Sequence, residues 1–250
     1  MTIFNRAAFA RRPALVVFDL DNTLYDYAAA HKAGLDAAAR KANTLFGVNE
    51  ADFHACYLKS RALVKQRLEG SASSHSRLHY FGALCETLGV GAQPAIALNL
   101  DQTYWTAFFD GAEFFPDALE FLDDLRLANV PAALLTDLTT NIQYRKLIRW
   151  GIDQSFCAIV TSEEAGRDKP HAASFDLLRA KLRTIPEPVW SIGDSAEKDG
   201  RAAKRHLGAS TLLRVDRTPK DAPAPEIDLT FSSFKALREF FAELSDRPAQ

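Results

Sequence analysis

Asp19, Asp21, Thr136, Lys169, Asp194 and Asp199 are the side chains of this sequence whose types and positions can do chemistry together. Each stands at or just beyond the end of a short apolar run. Asp19-Leu20-Asp21-Asn22-Thr23 follows the run 14–18, Thr136-Asp137 follows 132–135, Lys169-Pro170 lies in the loop after 156–160, and Gly193-Asp194 follows 189–192 with Asp199 a little further on. If these runs are parallel strands, their carboxyl ends lie along one edge, where open α/β sheets bind ligands. Carboxylates gathered there resist ionisation unless a cation sits among them. A hard divalent ion resolves the conflict, and Mg2+, which takes oxygen ligands beside a substrate phosphate, suits Asp19, Asp21 and Asp194 better than Zn2+ does. The Lys169 ammonium, the Thr136 hydroxyl and nearby backbone amides then complete a site for a phosphoryl group.

The elements that must position these groups alternate. Runs at 14–18, 132–135, 156–160, 189–192, 211–215 and 229–231 are bounded by turn or carboxylate residues and read as buried strands. Amphipathic stretches at 116–128, 140–150, 172–182, 195–207 and 233–244 lie between or after them. The pattern predicts an α/β fold with a doubly wound parallel sheet. It fails once, between Leu24 and Pro116, where helical periodicity at 27–46, 52–68, 77–88 and 95–109 predicts an inserted all-helical cap domain. The expected division is a core of 1–24 and 111–250 and a cap of 25–110. Within the cap the polar segment from Gly70 to Arg77 predicts a break.

Composition excludes other classes. Of the 250 residues 47% are hydrophobic and 25% charged, which supports a packed core. Thirty Lys and Arg against 32 Asp and Glu give a net charge of -2, too little positive field to hold a nucleic acid. The three cysteines, Cys56, Cys85 and Cys157, are odd in number, widely spaced and set among apolar neighbours, so buried thiols in a reducing cytoplasm are expected. Arg6, Arg11 and Arg12 precede only five apolar residues before Asp19, too few for an export signal, and no run approaches the ~18 residues of a membrane span. Neither nucleic acid nor membrane is expected as partner; the expected one is a small phosphorylated metabolite, with a monomer or homodimer as the expected assembly.

The run Phe18-Asp19-Leu20-Asp21-Asn22-Thr23-Leu24, combined with Thr136, Lys169-Pro170, Gly193-Asp194 and Asp199 in that order, resembles the haloacid dehalogenase superfamily. The resemblance is to the phosphatase branch with a helical cap inserted after the first motif, and it implies a Rossmann-like core. It implies that Asp19 attacks phosphorus to form an aspartyl-phosphate, and that Asp21 protonates the leaving alkoxide and then activates water. It also assigns Mg2+ to the Asp19 carboxylate, the Asp21 backbone carbonyl and Asp194, with Asp199 in or behind the shell. Thr136 would bind phosphoryl oxygens and Lys169 would neutralise charge on Asp19 and the phosphate. Asn22, Thr23 and Asp137 join the substrate-binding set, the Asp137 carboxylate being expected to turn away from a phosphate it would repel; the resemblance to capped members, where such a polar turn closes over the leaving group, adds His75 and Arg77 as expected substrate contacts.

Members that cleave carbon–halogen bonds lack a carboxylate two residues after the nucleophile, so Asp21 argues for phosphoryl transfer. His171 and Ala173 replace the acidic residue and second proline that usually follow the Lys-Pro pair. Two alternatives stay open: a phosphomutase of the same fold, and a catalytically silent module that binds Mg2+ and phosphate.

Overall fold

The structure is a computed structural model that describes residues 1–244. The chain separates into two compact units, one of Met1–Asp26 with the chain from Phe114 onward, the other Tyr27–Glu113.

The second unit is helical throughout its regular structure: α1 (Tyr27–Phe46), α2 (Glu50–Arg67), α3 (Arg77–Thr87) and α4 (Pro94–Asp110). Their ends carry ordinary signals. The Asn49 side chain accepts from the Asp52 amide at 2.9 Å, Ser76 accepts from the His79 amide at 3.4 Å, and Pro94 opens α4 where its missing N–H costs nothing. α1 lies close to α4 because its buried face is small, with Ala30, Gly34, Ala38 and Ala42. A Cβ at Gly34 would fall 2.7 Å from the Tyr104 ring. The segment read as a polar break contains a turn of 3-10 helix, Ala72–His75, with Ala72 and Ser74 buried.

The first unit is an α/β sandwich around a sheet of order β1-β7-β6-β5-β2-β3-β4. Its strands are β1 (Thr2–Ile3), β2 (Leu15–Phe18), β3 (Ala132–Thr136), β4 (Ala158–Thr161), β5 (Val189–Gly193), β6 (Ser210–Arg214) and β7 (Leu229–Phe231). Every pairing is parallel except that of β1 with β7. The helices are α5 (Ala118–Leu127), α6 (Thr140–Arg149), α7 (Ser162–Ala165), α8 (Ala172–Leu182), α9 (Ala202–Leu207) and α10 (Phe234–Glu243). β2, β3 and β5 are buried along their whole length, which is why their sequences are continuous apolar runs and not alternating ones. Leu15 and Val17 pack with Phe175, Leu178 and Leu207 in one core layer. Phe18 meets Phe121 and Phe156, and Phe121 meets Phe234 and Phe241.

One strand, β1, was not expected, since two residues are too few to leave a sequence pattern. One reading is corrected. The cysteines are free, but only Cys85 is buried; Cys56 is partly exposed and Cys157 exposed, because Cys157 leads into β4, the edge strand of the sheet.

Candidate active site

The parallel register brings the carboxyl ends of β2, β3 and β5 side by side, with Phe18 opposite both Leu134 and Ile192. Beyond β2 the chain turns at Asn22, which takes a left-handed conformation (φ 63°), a state that asparagine tolerates better than most residues. Arg214 of β6 holds the Asn22 carbonyl at 3.3 Å while stacking over Phe115. The Asn22 amide donates to Asp194 Oδ2 at 2.8 Å, and the buried Thr23 hydroxyl donates to Asp19 Oδ2 at 3.2 Å.

Lys169 anchors the other side of Asp19. Its ammonium donates to Asp19 Oδ1 at 2.9 Å, to Asp199 Oδ1 at 2.6 Å and to the Leu135 carbonyl at 2.9 Å, which uses all three of its N–H groups. Asp199 reaches this point from a turn of π-helix, Ala196–Arg201, that precedes α9. The approach requires glycine at 193, since a Cβ there would lie 2.2 Å from Asp199 Cγ. One carboxylate oxygen each from Asp19, Asp194 and Asp199 lies within 4.8 Å of the others.

The electrostatics follow from this crowding. Burial pushes the Asp19 carboxyl up to about 8, with Asp199, Asp194 and Asp21 adding to the rise and Lys169 opposing it. Burial also raises Asp194, against the hydrogen bond from Asn22. Burial disfavours the Lys169 ammonium, but the charges of Asp19, Asp199 and Asp137 outweigh it and hold the lysine above its ordinary value. One ammonium among so many acids leaves a deficit of positive charge at an all-oxygen cluster. That donor set fits a hard divalent cation.

Asp21 is held by a second set of side chains. Lys146 Nζ lies 2.5 Å from Asp21 Oδ1, the Tyr25 hydroxyl donates to the same oxygen, and Gln143 Nε2 reaches Oδ2 at 3.4 Å. Gln143 also donates to Thr136 Oγ1 at 2.6 Å and to the Asp137 carbonyl at 2.8 Å. Lys146 is wholly buried, its ammonium 5.7 Å from the Tyr25 ring centroid, and Tyr25 packs on Trp150 at 4.7 Å. Neither Gln143 nor Lys146 stood out in the sequence.

Asp137 donates nothing to the cluster of acids. Its Oδ2 pairs with Lys198 at 2.8 Å and its Oδ1 accepts the Lys169 backbone N–H at 2.9 Å, so it fixes the loop that delivers Lys169. His75 and Arg77 belong to the helical unit. Arg77 is buried there, and the partly exposed His75 places Nδ1 3.3 Å from Lys65 Nζ.

Residues 13–206 match the family model of the haloacid dehalogenase-like hydrolases. The chain belongs to that family. It sits among that family's phosphatases: it is 36% identical over 231 residues to a ribulose-1,5-bisphosphate 5-phosphatase of Halopiger xanaduensis, covering 92% of this chain and 93% of that one. It is 28% identical to a glyceraldehyde 3-phosphate phosphatase of Methanopyrus kandleri, covering 90% and 97%. The fold is shared with the haloacid dehalogenase-type hydrolase YfnB of Bacillus subtilis, solved bound to magnesium, at a TM-score of 0.69 and 18% identity over 93% of this chain and 100% of that one. Among the described residues no helix is long and apolar enough to cross a membrane.

Proposed function

We propose that this enzyme hydrolyses the phosphate monoester of a small soluble metabolite in the cytoplasm, with Mg2+ and through an aspartyl-phosphate on Asp19. The observation that carries the reading is Asp19 itself, 8% exposed, gripped at one oxygen by Lys169 and at the other by Thr23, within 4.8 Å of Asp194 and Asp199 oxygens. A carboxylate so placed has few rotamers to explore and is pre-aimed for in-line attack.

Asp19, Asp194, Asp199 and the Asp21 backbone carbonyl are the groups that would hold the Mg2+. When bound, the ion offsets the negative charge of the phosphoryl group and of the acids around it. Lys169 keeps positive charge on Asp19 and on the incoming phosphate, and Thr136, whose oxygen is fixed by Gln143, binds a phosphoryl oxygen. Asp21 gives its proton to the leaving alkoxide and then takes one from the attacking water. Lys146 and Tyr25 hold its carboxylate in one orientation for both transfers. Asn22 and Thr23 serve the substrate by fixing Asp194 and Asp19, and Asp137 by fixing Lys169. Arg77 and His75 provide the leaving-group selection of the helical unit. The phosphatase names of the relatives support the reaction, and the magnesium in the Bacillus subtilis structure supports the ion.

The test is phosphate release from ribulose 1,5-bisphosphate, glyceraldehyde 3-phosphate, phosphoglycolate and an aryl phosphate, with Mg2+ or with chelator. Release that needs Mg2+ and disappears in Asp19→Asn is expected; release by Asp19→Asn at the wild-type rate would overturn the reading.

A further inference from the structure

In the helical unit, Arg77 is buried (6% exposed), and among the described residues no carboxylate pairs with it. Its surroundings are neutral. Nε donates to the Tyr104 hydroxyl at 3.4 Å, one terminal nitrogen donates to the His75 carbonyl at 2.6 Å, and the other donates to the Tyr27 hydroxyl. The guanidinium carbon lies 5.5 Å from the Tyr104 ring centroid, 5.6 Å from that of Tyr80 and 5.9 Å from that of Tyr27. Aromatic faces favour a cation, but they do not neutralise it. A buried charge with no counter-charge is a costly thing for a fold to keep.

The hydrogen-bond count points the same way. A guanidinium has five N–H donors, and three are used, so each terminal nitrogen keeps one. The Tyr104 hydroxyl is paired with His31 Nδ1 at 2.6 Å, and Tyr80 donates to the Ser74 carbonyl at 2.5 Å. Tyr27 accepts from Arg77, and its own proton has no acceptor among the described residues. The Tyr57 hydroxyl, in a residue 1% exposed that packs on Tyr80 at 5.9 Å and His31 at 6.3 Å, has no hydrogen-bond partner among the described residues. The cluster therefore holds a positive charge and four unclaimed protons, and lacks an acceptor. Carboxylate and phosphate groups are acceptor-only and take a guanidinium through paired N–H bonds.

We infer that Arg77, with Tyr27 and Tyr57, forms a binding site for an anionic oxygen group, a phosphate or a carboxylate. The anion has two sources, a second acidic group on the substrate or a free inorganic anion. The first rests on the proposed hydrolysis; the second does not.

The experiment compares wild type, Arg77→Gln, Arg77→Lys and Tyr57→Phe. For the substrate source, the measure is the ratio of kcat/KM for ribulose 1,5-bisphosphate or phosphoglycolate to that for an aryl phosphate; Arg77→Gln lowers it at least tenfold, through KM, and Arg77→Lys less. For the free source, inorganic phosphate inhibits aryl phosphate hydrolysis with a non-competitive component that Arg77→Gln removes. Tyr57→Phe separates binding from packing: deleting a partnerless buried hydroxyl leaves the melting temperature unchanged or higher, yet weakens the anion effect severalfold. A ratio and an inhibition pattern identical in all four proteins would overturn the site. If no substrate releases phosphate, the reaction has failed and the site is still read by titrating phosphoglycolate against the fluorescence of Trp105, whose ring centroid lies 5.4 Å from the Arg77 guanidinium. Quenching in wild type that is absent in Arg77→Gln supports it, and quenching equal in both refutes it.

Discussion

The carboxylate edge of the α/β unit and the tyrosine cluster of the helical unit are opposites in charge. The first gathers Asp19, Asp194 and Asp199 around one ammonium; the second gathers tyrosine hydroxyls around one guanidinium. Each is unbalanced as built, the edge toward anions and the cluster toward cation and protons. A fold selected only for stability has little reason to keep either imbalance, because unpaired buried charge lowers stability and filling it with apolar side chains often raises it. A surplus of either sign marks a site with something still to be bound. A cation answers one surplus and an oxyanion the other.

The comparison is broken most severely at Asp19. Asp19→Asn keeps the shape of the edge but removes the proposed nucleophile, and phosphate release falls by about 10³-fold or more, read as kcat with the fold unchanged by circular dichroism.

The helical unit can be tipped by acid. Burial, with the charges of Arg77 and Arg61, pushes His31 down to about 4 from its ordinary 6.5, so the imidazole is neutral in the fold and charged in the unfolded chain between those values. Its contribution is complete above pH 6.5 and lost as pH falls toward 4, amounting to up to about 3 kcal/mol. Chemical denaturation across that window shows the slope, and His31→Gln flattens it.

At the edge, Gly193→Ala drives a methyl into Asp199 and costs about 1–3 kcal/mol of stability. It lowers activity as well, because Asp199 and Lys169 must move together. An unchanged melting temperature and rate would mean that Asp199 has room the structure denies it. The smallest effect is expected from Lys146→Met, which keeps the volume and removes one of the groups holding Asp21. It lowers kcat by roughly tenfold and leaves KM nearly constant, since Tyr25 and Gln143 remain.

The strand-end groups were legible because a carboxylate that stops an apolar run is conspicuous, and because three such stops, with Lys169 in the loop between the second and third, fall in order. The alternation of strand and helix gave the sheet for the same reason. α6 was legible as a helix and opaque as a contributor. On it Tyr144 and Ile148 are exposed while Gln143 and Lys146 are buried, the reverse of amphipathic logic, and the inversion exists only because Asp21 and Thr136 need partners from that side. Position in the chain gives no hint of that need. The Arg77 turn announced itself as polar, but polarity alone does not tell a solvated loop from a buried cation. That distinction depends on the aromatic residues of α1, α2, α3 and α4 arriving around it.

The central place of β2 in the sheet also governs when the protein becomes an enzyme. Asp19 meets Lys169 across 150 positions of chain, Asn22 meets Asp194 across 172, and Asp21 meets Lys146 across 125. Contacts at such separation close late, since each must wait for a long loop to be drawn in. In a growing chain Asp19 therefore has only Thr23, four residues on, to hold it until Lys169 has been made and β3 has slotted in beside β2, and Asp194 joins later still with β5. On the proposed mechanism, a truncated product ending before Gly193 lacks Asp194 and Asp199 and releases no phosphate.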